Sequence, residues 1–268
     1  MAVEVLLSSL NQDVPALLKK TGLNGPAVVV NQCDREGSEE VTLPGGCARV
    51  FYSAERGVGR SRNLALSKAR EDLCIFGDED IVYREGYANL IAAEFQKHPE
   101  ADGLLFQVEV DPSRRTYAND SFGRVGLLNC GRYPAYSMAF RRRKLIDSGV
   151  RFSTLFGGGA RYSNGEDSLF IRDVIKAGLK IYKTPVCIGE EIPRPSTWFT
   201  GYHEKFFFDR GVLYAFLYGC MAPVWAFRFV FTKRKLMCQE IPWQSAYGIV
   251  LKGIREGRRV KRKEKNEA

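Results

Sequence analysis

Histidine is scarce in this 268-residue chain, with only His98 and His203, and none of its seven cysteines belongs to a C-x-x-C pair. Cys33, Cys47, Cys74, Cys130, Cys187, Cys220 and Cys238 are odd in number and widely spaced. The two shortages exclude a Cys/His zinc centre and a disulfide framework. Most of these cysteines read as small apolar strand residues, which implies a reducing cytoplasm. No Ser/His/Asp order and no cysteine with a base beside it is found, so triad chemistry is not expected. The start Met1-Ala2-Val3-Glu4 lacks a basic region followed by a long apolar stretch, so no secretory signal is expected. There is no G-K-[ST] sequence, which excludes a P-loop, and no internal repeat.

What is present is a chain with 45% hydrophobic residues, enough to bury one α/β domain with an appended piece. Its net charge of +9 suggests an anionic partner, but +7 of it falls in residues 232–268 and leaves +2 on residues 1–231. A nucleic-acid-binding enzyme carries its basic stripe across the folded body. The charge is therefore a C-terminal device, and no nucleic-acid partner is expected.

Short apolar runs alternate with helical patterns. Val3-Glu4-Val5-Leu6-Leu7, Ala27-Val28-Val29-Val30, Arg49-Val50-Phe51-Tyr52 and Leu73-Cys74-Ile75-Phe76 read as buried strands. Residues 13–20, 60–70 and 85–98 read as helices between or after them. Further strands are expected at 103–110, 136–140 and from 179, with a helix over 164–177 and an irregular stretch or hairpin over 111–134. The alternation predicts an α/β fold with a doubly wound, mainly parallel sheet. After Pro195 the composition turns aromatic, so the boundaries expected are a domain over 1–195, divided near 110, an aromatic-rich helical module over 196–251 and a basic tail over 252–268.

Asp78 and Asp80 directly follow a buried strand, and in an extended chain their side chains point to one side. Two carboxylates there can hold Mg²⁺ or Mn²⁺ against a diphosphate; a polar turn closing the strand explains the same pair. Glu166-Asp167 follows the loop Gly157-Gly158-Gly159-Ala160-Arg161-Tyr162-Ser163-Asn164-Gly165 at a helix start. Asp167 there could act as a general base, or Asn164 and Asp167 could form a capping box variant. Gly57-Val58-Gly59-Arg60-Ser61-Arg62-Asn63 opens a helix, and Arg60 and Asn63 share a face suited to phosphate. The third glycine of a dinucleotide fingerprint is missing there, at Arg62. His98, before Pro99, reads as a solvated helix end. His203, in an aromatic segment, is a candidate third metal ligand.

Taken in order, Leu6-Leu7-Ser8-Ser9-Leu10-Asn11, Gly59-Arg60-Ser61-Arg62-Asn63-Leu64-Ala65, Gly77-Asp78-Glu79-Asp80 and Gly165-Glu166-Asp167-Ser168-Leu169-Phe170 resemble the inverting family 2 glycosyltransferases of the GT-A fold. The resemblance spans most of the first 220 residues. It implies a nucleotide-sugar-binding half over 1–110 and an acceptor-binding half over 111–195. By this likeness Asp78 and Asp80 coordinate the metal and donor diphosphate, with Glu79 on the donor, and Asp167 is the base, supported by Glu166. Asn11, Asn31, Arg60 and Asn63 would line the nucleotide pocket, and Gly157 to Gly159, Gly158 among them, the acceptor side. Trp198 would stack on a sugar ring, or serve as core. Two departures stand out. Asn31-Gln32-Cys33-Asp34 replaces the frequent acidic pair after the second strand, and the Q-x-x-R-W motif of processive synthases is absent, which favours addition of a single sugar. The expected enzyme is thus a metal-dependent, inverting glycosyltransferase using a nucleotide sugar, expected to be a UDP-sugar, in cell-surface polysaccharide biosynthesis, with a glycan or lipid-linked acceptor.

Val212 to Phe231 has Arg228 as its only charge and reaches the roughly 20 residues that cross a bilayer, but Pro223 and Gly219 interrupt it. With its basic flanks it suits a helix in the interface of an anionic membrane, placing the enzyme on the inner face of the plasma membrane, or else ordinary core. Two rivals remain at this level: a sugar-phosphate nucleotidyltransferase, which needs a Gly-rich basic loop that Ser8-Ser9-Leu10-Asn11-Gln12-Asp13 does not supply, and a non-enzymatic basic module binding membrane or RNA, which the near-neutral body opposes.

Overall fold

A computed structural model describes residues 1–112, 115–193 and 201–267, the side chains of 265 and 267 excepted. The chain runs through β1 (Val3–Leu10), α1 (Val14–Thr21), β2 (Ala27–Gln32), β3 (Gly37–Leu43), β4 (Gly46–Ser53), α2 (Val58–Lys68), β5 (Leu73–Asp78), β6 (Ile81–Tyr83) and α3 (Tyr87–Lys97). It continues with β7 (Gly103–Glu109), β8 (Gly123–Val125), β9 (Met138–Arg141), α4 (Arg142–Asp147), α5 (Glu166–Lys176) and β10 (Ile181–Glu191). Three helices close it: α6 (Glu204–Tyr218), α7 (Ala222–Met237) and α8 (Trp243–Glu267).

One sheet, in the order β3-β4-β2-β1-β5-β9-β7-β10-β6 with β8 on β10, organises the domain. Its centre, β4-β2-β1-β5, is parallel, and β7 runs parallel to β10. Strand alternation explains the layers. Val5, Leu7 and Ile75 pack with α1 and α3 on one face, while Leu6, Cys74 and Phe76 pack with α2 and α5 on the other. Both faces of the central strands are thus covered, which is why they read as continuous apolar runs.

Local signals start and stop the elements. Asp13 accepts a hydrogen bond from the Ala16 amide at 2.9 Å and Pro15 occupies the first turn of α1. The edge strand β3, Gly-Ser-Glu-Glu-Val-Thr-Leu, was not expected: it is exposed or half-exposed along its length and so lacks an alternating apolar pattern. His98, expected in solvent, instead stacks on Phe122 with centroids 3.6 Å apart.

The C-terminal module does not divide at residue 251, because α8 runs through that position unbroken. The supposed basic tail is therefore the outer part of a packed helix. α6 and α8 approach so closely that a Cβ on Gly211 would lie 2.1 Å from the Val250 carbonyl. By length and composition Glu204–Met237 could cross a membrane. The chain turns at Gly219–Met221, however, and Tyr214 meets Phe229 with centroids 5.8 Å apart, so α7 folds back on α6.

Candidate active site

The carboxyl ends of β1, β2 and β5 open onto a cavity of about 440 Å³, as expected for ligand sites in open α/β sheets. Ser8, Ser9, Leu10, Gln12, Gln32 and Asp78-Glu79-Asp80 line it from the strand ends, Val58 and Arg62 from α2, and Glu166 and Asp167 from α5. Pro134, Tyr136, Gly158 and Glu191 complete the wall.

Arg62 is the centre of this arrangement. Its guanidinium donates to both oxygens of Asp78 at 3.0 and 3.2 Å, to Asp167 at 2.7 Å and to Glu166 at 3.2 Å. The side chain is 3% exposed. Burial opposes its charge, but Asp78, Asp167 and Glu166 overcome that penalty and hold it protonated. One cation thus ties the end of β5 to the start of α5.

Aromatic packing beneath keeps those two ends in register. Phe76 on β5, Phe170 on α5 and Phe152 form a cluster in which Phe152 stacks on Phe170 at 3.8 Å and Phe76 meets Phe152 edge-on at 4.9 Å. Phe76 lies two residues before Asp78 and Phe170 three after Asp167, so the same side chains that build the core aim the carboxylates. Asn63 pins the aromatic loop to α2 through reciprocal bonds with the Phe152 backbone at 2.9 and 2.8 Å.

At the start of α5 the capping box does not form. Gly165, with φ 113°, is the N-cap, and no side chain caps the helix. Asp167 instead faces Arg62. Burial pushes its pKa up to about 7; Arg62 draws it down, while the Glu166 and Asp78 charges add to the rise. A carboxylate with that pKa is matched to accepting a proton near neutrality. Gly157, at φ 102°, lets the preceding loop pass: a Cβ there would lie 2.7 Å from the Glu166 carboxyl carbon.

β5 ends at Asp78, and residues 79 and 80 form a turn rather than an extended continuation. Asp78, Glu79 and Asp80 nevertheless all reach the cavity, with Glu79 accepting from the Leu10 amide at 2.8 Å. Among the described residues the wall carries the carboxylates Asp78, Glu79, Asp80, Glu166, Asp167 and Glu191 and the cation Arg62. Two carboxylates completed by substrate oxygens are a set that Mg²⁺ or Mn²⁺ accepts, so the donor chemistry fits a divalent cation. Tyr136, beside Asp78, Asp80 and Glu191, is held protonated by burial and by Asp78, Asp80 and Glu191.

Several expected site residues lie elsewhere. Among the described residues no three His, Cys, Asp or Glu side chains gather as a metal site, and His203 is the N-cap residue of α6, so it does not join Asp78 and Asp80. Arg60 points outward, 48% exposed, 3.6 Å from Glu55. Asn63 is occupied by Phe152, as above. Asn31 is buried, bonded to Ser9 and to both backbone groups of Gln12. Asn11 is exposed in a left-handed conformation at φ 50°. Gln12 and Gln32, one residue further on in each case, line the cavity instead. Gly158 does line it, and its carbonyl accepts from the Val58 amide at 2.9 Å. Trp198 lies outside the described residues.

Arg62 had a legible signal. It shares the apolar stripe of α2 with Ala65 and Leu66, and an arginine on a core-facing stripe demands buried carboxylates.

Residues 3–162 match the sequence model of glycosyl transferase family 2. No curated relative matches the sequence. Among solved structures, S. aureus TarS 1–349 in complex with UDP-GlcNAc superposes with a TM-score of 0.62 at 16% identity, over 94% of this chain and 81% of that one. The same TarS fragment in complex with UDP gives a TM-score of 0.54 at 17% identity, over 98% and 92%. At these identities the likeness establishes the fold, which is the expected GT-A arrangement.

Proposed function

Because the chain belongs to glycosyl transferase family 2 and is thus a glycosyltransferase, we propose that it moves a single sugar from a nucleoside diphosphate sugar, a UDP-sugar, to an acceptor hydroxyl with inversion. The observation that carries this reading is the buried Arg62 binding Asp78 and Asp167 together in one cavity, with the Asp167 pKa near 7. The similar fold of TarS, crystallised with UDP-GlcNAc, supports the choice of donor class.

Asp167 takes the hydroxyl proton as the acceptor oxygen attacks the anomeric carbon, and the bond to the diphosphate breaks in the same displacement. Attack opposite the leaving group inverts the configuration. Glu166 and Asp78, sharing Arg62, keep Asp167 in place and its proton affinity high. Asp78 and Asp80 would hold Mg²⁺ or Mn²⁺, which when bound offsets the charge of the departing nucleoside diphosphate. Gly158 and the neighbouring loop would border the acceptor. The acceptor is a glycan or lipid-linked molecule of cell-surface polysaccharide synthesis, reached on the cytoplasmic face of the membrane.

Asp167→Asn tests the base directly. Transfer from a panel of UDP-sugars should fall about 10²–10⁴-fold while UDP still binds in calorimetry; transfer at the parental rate would overturn the assignment.

A further inference from the structure

A second cavity, of about 520 Å³, lies between the loop after β8, helix α5 and helices α6 and α7. One side is aromatic: Tyr218 stacks on Trp225 with centroids 5.1 Å apart, beside Tyr214 and Phe229. Among the described residues the charged lining is cationic, Arg132, Arg172, Lys176, Arg228 and Lys233, without an aspartate or glutamate. Arg172 pairs with Asp173 at 2.6 Å; among the described residues the other four have no carboxylate in ion-pair reach. Burial and the Arg172 and Lys176 charges hold nearby Lys261 below its ordinary pKa. An apolar side chain continues the cavity outward: Leu128 at its edge is 91% exposed.

Five cations with a single paired carboxylate call for an anion, and the aromatic side calls for an apolar body attached to it. We propose that this cavity binds a single phosphorylated lipid chain, its phosphate among Lys176, Arg228 and Lys233 and its apolar chain against Trp225, Phe229 and Leu128. Helix α5 connects the two cavities. At 1.5 Å per residue, Arg172 and Lys176 lie about 7.5 and 13.5 Å along the helix from Asp167. Arg172 and Lys176 also lie about 140° and 180° around the helix from Asp167, so a glycan on that phosphate must pass round α5 to bring its hydroxyl to Asp167. The assignment rests on the transferase reading above and narrows its acceptor to a lipid-phosphate-linked glycan.

Calorimetric titration of the full chain with geranyl phosphate, geraniol and inorganic phosphate tests it. Geranyl phosphate should bind at least about tenfold tighter than either of the others. The triple variant Lys176→Glu/Arg228→Glu/Lys233→Glu should lose at least about tenfold of that affinity while its UDP titration is unchanged. The single variants Lys176→Ala and Lys233→Ala, each weakening binding partway, carry the test if the triple variant does not fold. Equal affinity for geraniol, or variants that bind like the parent, would overturn the site. Phosphatidylglycerol vesicles that displace geranyl phosphate would overturn the acceptor assignment, because the cavity would then be reading bulk lipid; failure to displace supports it. If UDP binding is silent in the parent while geranyl phosphate binds, the donor reading fails and the cavity stands.

Discussion

The two cavities at either end of α5 have opposite chemistry. Among the described residues, six carboxylates share the wall with Arg62 near its N-terminus, and beside its later turns five cations gather with aromatic rings and no acid in the lining. In the first, Arg62 is structural, because removing it would leave Asp78, Glu166 and Asp167 facing each other. In the second, each cation adds to the repulsion of the others, so the set is useful for a ligand and unfavourable for the empty fold.

Removing a cation from each cavity should therefore act in opposite directions. Arg62→Met leaves Asp78, Glu166 and Asp167 uncompensated and should lower stability by on the order of 3 kcal/mol, with loss of transfer, measured by denaturant unfolding and a donor assay. A variant as stable and active as the parent would dissolve the contrast. Chelation should come next: EDTA should suppress transfer, and added Mn²⁺ or Mg²⁺ restore it, if the acid-rich wall is completed by a divalent cation.

The pH dependence follows from Asp167. Its carboxylate must be ionised to accept a proton, and its pKa is raised from 3.8 to about 7, so the rate should rise with pH through about 7 and then level off. Stability has the opposite slope. Between about pH 4 and 7 the folded protein holds a proton at Asp167 that the unfolded chain has lost, so this group makes stability fall as pH rises. Asp167→Asn should remove that slope and unfold at a higher temperature than the parent at pH 8, but not below about pH 4. At the small end, Lys176→Met in the cationic cavity should be neutral or stabilising by a few tenths of a kcal/mol, and Arg60→Ala should change stability by less than about 0.5 kcal/mol and leave transfer unchanged. A strong loss of donor affinity in Arg60→Ala would return that residue to the nucleotide pocket.

The parallel centre of the sheet was legible because strands covered on both faces need apolar residues at every position, as in Leu6-Leu7 and Val28-Val29-Val30. The exposed edge strand β3 was not, since Glu39 and Glu40 can sit there at no burial cost. In the site, Asp78, Asp80, Glu166 and Asp167 could be named from their places at a strand end and a helix start. That Arg62 faces the cavity while Arg60 and Asn63 do not has a geometric reason. Three residues of one turn point in different directions, and only the packing of α2 on the sheet decides which faces the cavity. At Asn11 and Asn31 a left-handed turn and the bonds of Asn31 to Gln12 hand the lining to Gln12 and Gln32.

The sequence alone was enough to determine the parallel strands at the centre of the sheet, the family and the places of the two pairs of acidic residues, because periodicity, strand-end position and motif order are local properties of the chain. Only the tertiary structure decided that Asp78 and Asp167, 16 and 105 residues after Arg62, meet on one guanidinium. It also decided that the basic C-terminal segment is a packed helix, and that a second, cationic cavity lies beside α5. Each of these depends on burial and long-range charge, and neither quantity exists for a residue until distant parts of the chain have packed around it.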